Sequence, residues 1–171
     1  MKSIKITGKR NLDKINKVEK PKRKQTENWS LDNVYFTYNK QVEMINSLYL
    51  NQSFEYDTLL KREIDKKIKG YKNQDIQKTL LSSNKFISLD DTIEKLVSSK
   101  LKCYYCKDNC ELLYRNVLSK KQWTLDRINN DLGHNDDNVV ICCYECNVKR
   151  GDMDSQRFKD GKSIKIIKKH T

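Results

Sequence analysis

Between residues 30 and 100 apolar positions recur every three or four residues, and after residue 100 that rhythm stops. Leu31, Val34, Tyr35, Tyr38, Val42, Ile45, Leu48 and Tyr49 fall on one helical face behind Ser30, which is placed to act as the N-cap. Tyr56, Leu59, Leu60, Ile64 and Ile68 form a second stripe, and Gly70 reads as its stop signal. The segment "NQDIQKTLL" predicts a short third helix. Ser88 and Asp91 have the spacing of a capping box ahead of a fourth helix through Leu89, Ile93, Leu96 and Val97. The residues on these stripes read as packing residues, and none is assigned a ligand role.

Beyond Lys100 the runs shorten. "QWTLDRI" and "NVVICC" are β-prone, and the polar "NNDLGHNDD" between them predicts a hairpin with a long loop. Within that loop Asp131, Asp136 and Asp137 read as turn-shaping or capping residues. Trp123 reads as hairpin core. The segment "CYECNVKRGDM" suits the first turns of a helix, with Asp152 and Asp154 at surface positions. The alternating "GKSIKIIKK" near the end predicts a final strand. Residues 1–27 show no periodic face to bury and read as a disordered basic arm.

The cysteines change this picture. Four of the six stand in two CxxC pairs, Cys103 with Cys106 and Cys143 with Cys146, and each pair puts two thiolates on one tight turn. Cys110 and Cys142 do not share that spacing and read as free buried thiols. The 36 residues between the pairs exceed the span of a simple zinc ribbon. A hairpin inserted between a first turn and a helix that starts with the second CxxC accounts for the excess, as in a treble clef. A tetrahedral Cys₄ site is closed to substrate, so its zinc is expected to be structural. The fold class expected is therefore α+β: a helical region over 28–100, then a zinc-stabilised ββα module over 101–171 that carries a basic tail.

Charge adds a partner class. The net charge of +12 is confined to the ends: residues 1–27 carry ten Lys/Arg against three Asp/Glu, residues 28–148 balance, and residues 149–171 carry eight against three. Basic ends suit a polyanion, because each neutralised phosphate releases counterions. The run at 20–24, with Lys22, Arg23 and Lys24, reads as a phosphate-binding arm or an import-like signal. No apolar run approaches the ~18 residues of a membrane span, and "MKSIKITGKRNLDK" lacks a secretory h-region. An intracellular protein (cytoplasm or nucleus) without membrane contact is the expectation, and its cysteines are expected to be reduced thiols or metal ligands.

The stretch "WTLDRINNDLGHNDDNVVICCYECNVKRGD", with "CYYC" upstream, resembles the zinc-bearing HNH endonucleases of the ββα-metal superfamily. The resemblance covers residues 101–153. It implies that Asp126 and Asn147 are ligands of a catalytic Mg²⁺ or Mn²⁺, that Asn138 holds the loop through backbone hydrogen bonds, and that double-stranded DNA is the substrate. Oxygen ligands suit a hard cation that neutralises charge developing on a phosphodiester. Where the family has its base histidine this chain has Arg127, whose guanidinium stays protonated and suits a phosphate clamp instead. His134, seven residues on, has the right chemistry for the base; the competing reading is a loop histidine that hydrogen-bonds the turn. Lys149 and Arg150, on the presumed helix, are expected to contact phosphate. The function expected is metal-dependent DNA cleavage, with a non-catalytic zinc module for nucleic-acid binding in recombination, packaging or transcription as the alternative.

Overall fold

The computed structural model describes residues 29–164, together with Gly8, Leu12, Ile15 and Asn16. Most of the basic arm, including Lys22, Arg23 and Lys24, lies outside the described residues, as do residues 165–171. The described chain is mixed α and β: five α-helices, two short 3-10 turns and one two-stranded antiparallel sheet.

Helix α1 spans Tyr38–Tyr49, seven residues later than a Ser30 cap predicts. The segment ahead of it is a 3-10 turn, Asn33–Phe36, closed by Thr37, whose hydroxyl donates to the Val34 carbonyl at 2.7 Å. A threonine hydroxyl offers the backbone an alternative to the helical ladder, and here it separates turn from helix. Helix α1 buries Met44, Ile45 and Leu48 together with a polar residue, Gln41. The Gln41 amide accepts from the Leu112 N–H (2.6 Å) and donates to the Leu113 carbonyl (3.0 Å), so its burial is compensated.

Helix α2 spans Asp57–Gln77 and runs through Gly70, which therefore does not end it. Nor is there a separate third helix: the chain leaves α2 after Gln77, and Thr79 then takes a left-handed φ of 59°. A helical glycine costs about 1 kcal/mol relative to alanine. The turns beyond it recover that cost through tertiary contacts, since the Tyr71 hydroxyl accepts the Leu125 N–H (3.1 Å) and Asp75 is fully buried against His134. Helix α3, Leu89–Ser98, starts at the expected capping box: Ser88 Oγ accepts from the Asp91 N–H and Asp91 Oδ2 accepts from the Ser88 N–H, each at 3.1 Å.

Strands β1 (Trp123–Arg127) and β2 (Val139–Cys143) pair with Trp123 opposite Cys143 and Arg127 opposite Val139. Helix α4, Tyr144–Arg150, begins directly at the end of β2, and Gly151 closes it with a positive φ of 53°. Helix α5, Ser155–Ser163, is capped by the Asp154 carboxylate on the Arg157 N–H at 2.8 Å. It takes in the start of the run expected to be a strand: Gly161, Lys162 and Ser163 are helical. One hydrophobic cluster joins both halves of the chain, from Ile45, Leu60, Ile64 and Leu96 to Trp123, Leu125, Ile141 and the cysteines.

Candidate functional site

The first CxxC turn is built by backbone bonds from Lys107 N–H to the Cys103 carbonyl (3.0 Å) and from Cys103 N–H to the Asp108 carbonyl (2.9 Å). The Tyr104 N–H fastens this turn to the Ile141 carbonyl of β2 at 2.9 Å, which brings it beside the second pair at the β2–α4 junction. The Sγ atoms of Cys103, Cys106, Cys143 and Cys146 lie within 4.8 Å of one another, with Cys106 and Cys143 at 3.9 Å. Four sulfurs at about 2.3 Å from a tetrahedral zinc stand about 3.8 Å apart, so the donor set fits a structural metal such as zinc. Hydrogen bonds from the Cys143 thiol and nearby backbone hold Cys103 down at about 4, whereas burial pushes Cys106 up and pushes Cys146 up to about 12. Four thiolates share this space only with a cation among them. Cys110 and Cys142 are buried free thiols outside the cluster, and Cys142 sits 3.1 Å from Thr124 Oγ1.

A cavity of about 210 Å³ is lined by Asp126, Arg127, His134 and Asn147, together with Tyr71 and Gln74 of α2 and Lys78 just past its end. A larger cavity, about 430 Å³, lies over the first CxxC turn between α3 and β2. Its wall carries no carboxylate or imidazole, and the smaller cavity is the one lined by His134.

Strand β1 delivers Asp126 into this cavity, 6% exposed. Its Oδ1 accepts from Arg150 Nη1 (2.7 Å) and its Oδ2 from the Tyr105 hydroxyl (2.6 Å). Burial pushes the carboxyl up, while Tyr105 and the Arg150 and Arg127 guanidinium groups pull it back. A carboxylate offers about four lone-pair sites, so two remain beside these bonds. Asn147, on α4, donates through Nδ2 to Thr124 Oγ1 (3.1 Å) and to the Leu125 carbonyl (3.2 Å), which leaves Oδ1 as a fixed oxygen donor. Asp126 and Asn147 thus bring oxygen atoms to the lining of one cavity. Asn138 stands behind the loop: its Oδ1 accepts the Asn129 N–H (2.9 Å) and its Nδ2 donates to the carbonyls of Asn129 (2.9 Å) and Gly133 (3.0 Å).

Arg127 Nη1 donates to the carbonyls of Asn130 and Leu132, both at 3.1 Å, leaving Nε and Nη2 without a partner among the described residues. Arg150 departs from its expected role. It is 3% exposed and turned inward onto Asp126 and the Ile128 carbonyl (3.1 Å), because a buried carboxylate one strand away outweighs solvent for a guanidinium on this face of α4. Lys149 remains exposed, paired with Glu145 at 2.9 Å. Replacing Arg150 by alanine leaves the Asp126 charge buried and uncompensated, and is expected to lower unfolding free energy by about 3–5 kcal/mol in urea melts. The double variant Arg150→Met with Asp126→Asn should recover most of that loss, and a single-variant loss below about 1 kcal/mol would refute the assignment.

His134 is also buried, at 4% exposure. Its Nδ1 lies 2.7 Å from Asp75 Oδ1, its backbone N–H donates to Asp75 Oδ2 (2.6 Å), and the Tyr71 ring lies 4.6 Å from the imidazole. Burial holds the imidazole below its ordinary 6.5 against the raising effect of Asp75. Asp75, Tyr71 and Tyr105 escape a reading of the linear chain. One signal for Asp75 exists: continued past Gly70, the spacing Leu60, Ile64, Ile68 puts a carboxylate on the apolar stripe.

No family model matches this chain, and no solved structure matches it. A protein of Acanthamoeba polyphaga mimivirus, described as "Uncharacterized protein R423", is 35% identical over 88 residues. That stretch is 52% of this chain and 14% of the mimivirus protein, so the chain matches only a small share of that relative's length.

Proposed function

We propose that the protein is a metal-dependent endonuclease of the HNH type, acting inside the cell on double-stranded DNA through a treble-clef ββα module. The observation that carries this reading is the single cavity wall shared by Asp126, Arg127, His134 and Asn147, which come from β1, the hairpin loop and α4. The bound metal, Mg²⁺ or Mn²⁺, would supply charge neutralisation on the scissile phosphate. Asp126 and Asn147 Oδ1 would hold it. Arg127, through its unpaired nitrogens, and Lys78 in the lining of the same cavity would bind the phosphodiester as charge-assisted donors. His134 takes the proton from attacking water at Nε2, which has no partner among the described residues. Asn138 keeps the loop in the conformation that presents His134, and the exposed Lys149 lies where a neighbouring phosphate would pass.

A second reading is favoured by one contact. Arg150 clasps Asp126 at 2.7 Å, and a carboxylate neutralised in that way suits a non-catalytic zinc module that only binds nucleic acid. Supercoiled plasmid incubated with the protein and Mg²⁺ or Mn²⁺ separates the two. Nicking that stops on chelation and falls at least about 100-fold in Asp126→Ala is expected. Tight, salt-dependent binding without nicking, indifferent to Asp126→Ala, would establish the binding module instead.

A further inference from the structure

We infer that Asp75, on the helix that precedes the cysteine cluster, is the positioning residue for His134, holding the imidazole with Nδ1 protonated and Nε2 free of any partner among the described residues. Its catalytic consequence rests on the endonuclease reading above; the tautomer itself does not.

Both oxygens of the Asp75 carboxylate are committed to His134: Oδ1 to the ring Nδ1 at 2.7 Å and Oδ2 to the backbone N–H at 2.6 Å. An ionised carboxylate only accepts hydrogen bonds, so the shared proton resides on Nδ1 and the neutral ring carries its free lone pair on Nε2. Asp75 is 0% exposed and has no other side-chain partner among the described residues, so the clasp serves one residue. The loop is shaped to permit it. A Cβ on Gly133 would stand 2.6 Å from the Leu80 carbonyl oxygen and 2.8 Å from Asp75 Oδ2, so the glycine leaves the space in which the loop closes on the carboxylate. Tyr71, one turn before Asp75, packs on the imidazole at 4.6 Å and ties α2 to β1 through the Leu125 N–H.

His134 also lines a polar cavity, and its Nε2 has no hydrogen-bond partner among the described residues. Here that cavity also holds Asp126, Arg127 and Asn147. The groups that face the ring are Asp75 and Tyr71 from α2 and Arg127 and Asp126 from β1. Of these, Asp75 is the one hydrogen-bonded to it. The helical region therefore does more than cover the core: its last two turns complete the site.

The chain has two histidines, His134 and His170, so a His170→Gln background leaves one imidazole to observe. In the ¹⁵N-histidine-labelled full chain at about pH 8, above the imidazole's usual pKa, long-range ¹H–¹⁵N correlation should report the Nδ1–H tautomer. Asp75→Asn, which keeps shape and loses one acceptor, should give the Nε2–H form or a mixture. In plasmid nicking the same variant should lose at least about tenfold in kcat with KM within about twofold. The acid limb of its pH profile should also move to lower pH, because the anion that favours imidazolium is gone. An Nε2–H tautomer in the wild-type ring overturns the inference, as does an Asp75→Asn variant with wild-type kcat and an unmoved limb. Should Asp75→Asn fail to fold, the wild-type tautomer decides. If the wild-type protein cuts no DNA, the endonuclease reading fails and the spectrum still decides the role of Asp75.

Discussion

Removing the metal from the cysteine cluster, by chelation at neutral pH or by Cys103→Ser, is expected to unfold the ββα module rather than trim its activity. Two strands of five residues each make a sheet that is marginal by itself. The cluster of Cys103, Cys106, Cys143 and Cys146 adds to that sheet a cross-link between the first CxxC turn and the start of α4, beside the Tyr104 N–H bond to Ile141. Structural zinc contributes roughly 10–16 kcal/mol to folding in small zinc-finger peptides, as much as the whole stability of an ordinary domain, roughly 5–15 kcal/mol. Because one core runs through both halves, with Trp123 and Leu125 packed in the same cluster as Ile64 and Leu96, loss of the module should also loosen α2. Near-ultraviolet circular dichroism and a thermal melt should show a lost cooperative transition, alongside one metal ion per chain in the native protein by elemental analysis. A metal-free chain with an unchanged melting temperature would dismiss the structural role. Cys110→Ser and Cys142→Ser, outside the cluster, should leave the metal content at one.

On the endonuclease reading proposed above, replacing His134 by asparagine is expected to reduce DNA cleavage by about 10²–10⁴-fold, the usual contribution of a positioned general base. Asparagine is the useful substitution because its amide keeps a donor for Asp75 and so avoids leaving a buried carboxylate unpaired. Alanine would confound lost chemistry with lost stability. The pH profile sharpens the test. Burial depresses the His134 pKa, so the folded imidazole stays neutral below 6.5, its ordinary value. The rate should therefore hold as pH falls through 6.5, then decline as the ring finally takes a proton and can no longer accept one from water. The same depression makes protonation destabilising: folding stability should fall as pH drops below 6.5, where the unfolded chain binds the proton first. Cleavage by His134→Asn at the wild-type rate, with the same acid limb, would remove His134 from the chemistry.

How much of this was legible in the linear chain depended on the range of the interaction. The capping box at Ser88 and Asp91 was readable because its atoms lie three residues apart and obey one rule in any context. The CxxC turns were readable for the same reason, since spacing alone puts two sulfurs on one ion. The end of α2 was not. Gly70 is a valid stop signal locally, but Tyr71 and Asp75 beyond it have partners more than 50 residues away, and those contacts carry the helix on. Arg150 misled for the converse reason. A charged residue on a short helix is expected in solvent, and only the fold reveals a buried Asp126 beneath it. The start of α1 was lost to Thr37, whose hydroxyl bond competes with the helix at short range but leaves no trace in the apolar spacing.

The order of residues alone settled the kinds of atoms available: four thiols in two pairs, a hairpin with a polar loop, one histidine in that loop, and an excess of positive charge at both ends. Tertiary structure decided which polar groups meet. Asp75 and His134 are 59 residues apart and form one unit, Asp126 faces Arg150 and Tyr105 at once, and Asn147 is left with an oxygen to offer. Burial is what made those choices. A carboxylate or imidazole inside a core must find a partner there or stay neutral, and which partner is within reach follows from packing rather than from distance along the chain.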